Sequence, residues 1–76
     1  MYQCTVSISS INKARDFVAM TAKYNRTKIM LNCHNYSVDA HSIIGILSLD
    51  LAEPIRLEAE GEDLEALIED LKPYTV

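Results

Sequence analysis

Ala40-His41-Ser42-Ile43-Ile44-Gly45-Ile46-Leu47-Ser48-Leu49 is the stretch on which the fold turns. A hydroxyl followed by apolar side chains at 43, 44, 46, 47 and 49 describes a short helix from Ser42 to Leu49, with Ser42 at its N-cap. Ile43, Ile44, Ile46 and Leu47 cannot all face inward from so short an element, so part of this apolar surface is offered outward. Gly45 inside a helix is unfavourable by up to about 1 kcal/mol against alanine, which calls for close approach by a neighbour or a partner.

Outward from this segment the period changes element by element. Tyr2, Cys4, Val6 and Ile8 alternate with Gln3, Thr5 and Ser7 and predict a half-buried strand. Ser9-Ser10-Ile11-Asn12 supplies cap candidates, and from Lys13 to about Tyr24 the residues Ala14, Phe17, Val18, Thr21 and Tyr24 follow helical spacing. Asn25-Arg26-Thr27 breaks that helix. Strands are predicted over Lys28–Cys33 and Tyr36–Asp39, joined by His34-Asn35 in a hairpin where Asn35 tolerates positive φ. Pro54 disfavours helical geometry at Glu53, after which Ile55, Leu57 and Ala59 alternate with Arg56, Glu58 and Glu60. Leu64, Leu67, Ile68 and Leu71 stripe a last helix from Glu62 to Lys72; Glu62, Asp63 and Glu65 suit its positive end, and Pro73 stops it.

The predicted class is α+β, in the order β-α-β-β-α-β-α, as one domain over residues 1–76. Three helices on one face of a four-stranded antiparallel sheet would bury their stripes together and leave the other face wet. A ferredoxin-like arrangement without the small middle helix is the structural alternative.

Composition narrows the function. With 76 residues there is no second lobe, and 49% apolar content with two glycines and two prolines argues against disorder. Seven basic and eleven acidic residues give a net charge of −4, which speaks against nucleic acid or an anionic membrane as partner. No apolar stretch spans a bilayer and no leader pattern opens the chain, so a cytoplasmic location is expected. Cys4 and Cys33 have no metal-ligand spacing and are expected as free thiols. No glycine-rich phosphate loop, nucleophile-histidine pair or metal cluster is present, so no cofactor, metal or enzymatic activity is expected. The carboxylates of the last strand and helix are expected to be solvated.

The segment Ser42 to Leu49 closely resembles the regulatory-serine segment of HPr, the histidine-containing phosphocarrier of the sugar phosphotransferase system. The element order and the acidic terminal helix after Ala59-Glu60-Gly61 extend the resemblance over nearly the whole chain, with the loop Leu51 to Pro54 a few residues short. It implies an HPr-like open-faced sandwich. The family's phosphoacceptor motif is histidine, any residue, arginine, proline; on the resemblance this place reads Lys13-Ala14-Arg15-Asp16. Lys13 then stands for the nucleophile, Arg15 matches the phosphate-assisting arginine, and Asp16 replaces proline. An ammonium with a reference pKa near about 10.4 offers no lone pair at neutral pH, and Asp16 weakens the anion-binding value of the helix start.

The resemblance therefore implies a divergent, non-catalytic regulatory or adaptor protein, similar to the catabolite-repression HPr-like paralogue. It matches Ser42 to the serine phosphorylated by HPr kinase, and makes Arg15, Ile44, Gly45 and Leu47 a docking surface for a transcriptional regulator or metabolic enzyme. Lys13 and Arg15 also suggest an anion at the first helix N-terminus. A phosphocarrier with an atypical acceptor, or a small interaction module unrelated to sugar uptake, are the alternatives. His34, in the loop between the second and third strands, reads as a surface histidine.

Overall fold

The computed structural model describes all 76 residues, Met1–Val76. The order is β1 (Tyr2–Val6), α1 (Ile11–Thr21), β2 (Thr27–Cys33), β3 (Tyr36–Asp39), α2 (Ile43–Leu47), β4 (Ile55–Gly61) and α3 (Leu64–Leu71). The four strands form one antiparallel sheet in the order β1-β4-β2-β3. Register follows from alternation: Cys4, Leu57 and Leu31 line up across β1, β4 and β2, so a one-residue slip would turn the whole apolar set outward. The open face carries Lys28 opposite Glu60, with Asn32 donating to Glu58 at 2.8 Å.

On the other face Ile29, Leu31, Ile55 and Leu57 meet Phe17 of α1, Ile46 of α2 and Leu67 and Leu71 of α3, all fully buried. This is the open-faced sandwich that the element order predicts. Both cysteines are free thiols, and no helix is long and apolar enough to cross a membrane.

Element ends differ from the expectation for local reasons. α1 begins at Ile11 rather than Lys13, because the Ser10 side chain accepts the Lys13 amide and caps the helix earlier. It ends at Thr21, whose hydroxyl lies 3.0 Å from both the Val18 and the Ala40 carbonyl oxygens; Ala22 and Lys23 continue as a turn that the Tyr24 amide closes on the Thr21 carbonyl. β1 stops at Val6, although Ile8 remains buried. α2 is Ile43–Leu47 alone, with Ser42 and Ser48 as its caps. α3 starts at Leu64; Asp63, at φ 59°, precedes it without capping it by its side chain. In the β2–β3 turn the positive φ, 55°, falls on His34 and not on Asn35.

Candidate functional site

Two helices enter the layer above the sheet behind serines. Ser10 Oγ accepts the Lys13 amide at 3.1 Å, and Ser42 Oγ accepts the Gly45 amide at 3.1 Å. The alternation in β1 ends at Val6, and Ser7 to Ser10 make the passage into α1. Lys13 consequently lies inside the first turn with its amide already satisfied by Ser10, and it does not occupy the hand-over from strand to helix that the sequence pattern assigns to it. Lys13, Arg15 and Asp16 are exposed around the buried Ala14. Asp16 is near enough to Tyr74 for its charge to add to the main effect, burial, in raising the tyrosine's pKa.

α2 divides its apolar residues by spacing. Ile46 is fully buried and Ile43 is partly buried against the core, whereas Ile44 is 79% and Leu47 43% exposed. Gly45 turns toward the sheet: a Cβ there would stand 3.2 Å from Val38 Cβ. That close approach is by β3, so the glycine is explained by packing within the molecule, while Ile44 and Leu47 form the outward apolar pair. Ile11, the first residue of α1 after the capping Ser10, is 58% exposed and is a further outward apolar side chain.

The two histidines lie elsewhere than the α1 entry. His34 is exposed in the β2–β3 turn. His41, the residue before the α2 cap, has Nδ1 2.9 Å from Asp39 Oδ1 and Nε2 3.3 Å from the Tyr24 carbonyl oxygen. Asp39 also accepts the His41 amide at 2.8 Å; this bond first, and the ring second, hold its carboxyl below the usual carboxylate range. The Asp-x-His spacing signals this contact in the sequence. No group of three or more histidine, cysteine or acidic side chains has the arrangement of a metal site.

Residues 5–75 match the family model described as "PTS HPr component phosphorylation site". The chain belongs to the HPr family. Among solved structures, HPr-C-His from Thermoanaerobacter tengcongensis is similar at 31% identity and a TM-score of 0.77, over 93% of this chain and 90% of that one. The phosphocarrier protein HPr from Bacillus anthracis str. Ames is similar at 28% identity and a TM-score of 0.76, over 99% of this chain and 96% of that one. No curated protein matches by sequence.

Proposed function

We propose that this HPr-family chain is a non-catalytic regulatory or adaptor protein of the sugar phosphotransferase system, resembling the catabolite-repression HPr-like paralogue. The observation that carries this reading is the absence of an imidazole at the start of α1: Ser10 caps the helix, Lys13 follows in its first turn, and the histidines belong to the β2–β3 turn and the α2 entry. Phosphoryl acceptance and release by nitrogen needs a free lone pair, which a lysine ammonium lacks near neutral pH.

Ile44 and Leu47 stand exposed beside Ser42, so a partner is offered an apolar contact next to a hydroxyl at a helix N-terminus. A phosphate on Ser42 places a dianion against that apolar pair and exchanges the Ser42 cap for a stronger acceptor. Arg15 supplies the cation at the α1 side, where an anionic group of a partner would be met by Lys13 as well. A regulator, a metabolic enzyme and HPr kinase are the partner classes, in the cytoplasm.

The second reading, a phosphocarrier with an atypical acceptor, draws on the match of residues 5–75 to a family model described by its phosphorylation site. One pair of assays separates the two. Intact mass after ATP and HPr kinase is expected to rise by about 80 Da in the wild type and not in Ser42→Ala, the mass of one phosphoryl group. A phosphoenolpyruvate-driven donor is expected to leave no acid-labile adduct. An adduct of that kind would overturn the adaptor reading in favour of the carrier, and an unchanged mass with ordinary HPr modified alongside would remove the Ser42 switch.

A further inference from the structure

His41 lies between two acceptors. Its Nδ1 is 2.9 Å from an Asp39 carboxylate oxygen and its Nε2 3.3 Å from the Tyr24 carbonyl oxygen. A neutral imidazole has one N–H, so whichever tautomer forms, one ring nitrogen turns a lone pair toward an oxygen lone pair; the imidazolium donates to both. We infer that His41 is a proton-operated tie, its imidazolium joining the loop after α1 to the end of β3 and thereby fixing the chain that enters α2.

The connection runs through named bonds. Asp39 accepts both the ring and the amide of His41, its carbonyl accepts the Ser42 amide at 3.1 Å, and the Ser42 carbonyl accepts the Ile46 amide at 3.0 Å. The ring is 29% exposed, open to protons from solvent yet packed enough to be held. The charged groups on the elements around it are few. β3 brings Asp39, β2 brings Lys28, which acts on Asp39, and the loop after α1 has Lys23 paired with Asp70 and Arg26 paired with Glu62. α2, Ile43–Leu47, carries no charge. The Asp39 carboxylate is the stronger acceptor and holds the Nδ1 proton, so loss of the ring proton removes the Nε2 bond to the Tyr24 carbonyl, loosens the α2 entry and alters the helix that presents Ile44 and Leu47. The inference concerns the fold and stands whether or not that helix docks a partner.

The test is an NMR titration of the whole chain from about pH 5 to about pH 8, the range of imidazole titration. It follows the His41 ring nitrogens, the Tyr24 carbonyl carbon and the exchange of the Ile46 amide. The Tyr24 carbonyl is expected to move with the same midpoint as the ring, and Ile46 protection, corrected for intrinsic exchange, to fall about fivefold as the proton leaves, the worth of one ordinary hydrogen bond. His34→Gln should keep both responses and His41→Gln should lose them. A wild-type Tyr24 carbonyl that stays still while the His41 ring titrates overturns the tie, and this holds even if His41→Gln does not fold.

Discussion

At Gly61 the backbone takes φ 136°, and a Cβ would lie 2.8 Å from the Arg26 carbonyl oxygen. Both facts oppose any side chain, so Gly61→Ala is expected to destabilise by about 1–3 kcal/mol, measured by urea denaturation. Gly45 differs: its Cβ contact is with the half-buried Val38 side chain, which can shift. There the helix-propensity gain of up to about 1 kcal/mol opposes the crowding, and Gly45→Ala should stay within roughly 0.5 kcal/mol of the wild type. Tyr24 and Asp70 set a pH response. The Tyr24 hydroxyl donates to the Asp70 carboxylate, which also pairs with Lys23 at 2.9 Å. That hydrogen bond first, and Lys23 second, lower the Asp70 pKa; the same bond, aided by burial, pushes Tyr24 up to about 12. A lowered carboxyl stabilises above its unfolded value near about 4 and loses this as pH falls through the folded value. A raised phenol keeps its contribution below its unfolded value near about 10 and loses it as pH climbs toward the folded value. Tm against pH should therefore fall on both limbs, and Tyr24→Phe should flatten both; unchanged limbs in that variant would remove the pair from the account.

Among the elements α2 is the one whose sequence is read most directly, because a capping hydroxyl, a glycine and five apolar residues leave few other structures for Ser42 to Leu49. Ser42→Ala leaves the Gly45 amide without its 3.1 Å acceptor and should lower stability by about 1 kcal/mol. Ile44→Ser, at a side chain 79% exposed, should leave Tm within the small range of surface changes; under the proposed adaptor role it should also weaken binding of the partner regulator about tenfold or more, read by titration calorimetry. The strands are equally legible: Ile55, Leu57 and Ala59 are buried in the alternation that predicts them. Helix starts are not, since Ser9, Ser10 and Asn12 are all competent caps and only the geometry selects Ser10. That ambiguity displaced Lys13 from the strand-to-helix hand-over. In the hairpin, histidine and asparagine both tolerate positive φ, so the pattern His34-Asn35 marks the turn without saying which residue bends it.

At the scale of the molecule, the contact least visible in the sequence is the one that closes the β1 edge. Pro73 ends the helical pattern, and nothing in Tyr74-Thr75-Val76 shows where the chain goes next. In the fold these residues return to β1: the Ser7 amide bonds the Tyr74 carbonyl at 2.8 Å, the Val76 amide bonds the Thr5 carbonyl at 3.0 Å, and Val6 bridges Thr75. The Tyr74 ring meets Phe17 edge-on at 5.1 Å with an interplanar angle of 88°, tying the same tail to the centre of α1. An open strand edge invites pairing with another chain, and this tail covers part of it. Ending the chain at Pro73 should cost about 1–3 kcal/mol, from the lost aromatic pair and backbone bonds, and should expose the Ser7 amide to rapid hydrogen exchange. Tyr74→Ala separates the contributions, because it removes the ring and keeps the backbone pairing. If the truncation destabilises no more than Tyr74→Ala, the ring alone holds the tail and the pairing adds nothing to stability. If it destabilises more and Ser7 loses protection only in the truncated chain, the tail acts as a fifth strand in miniature, and the sheet depends on residues whose pairing no local pattern announces.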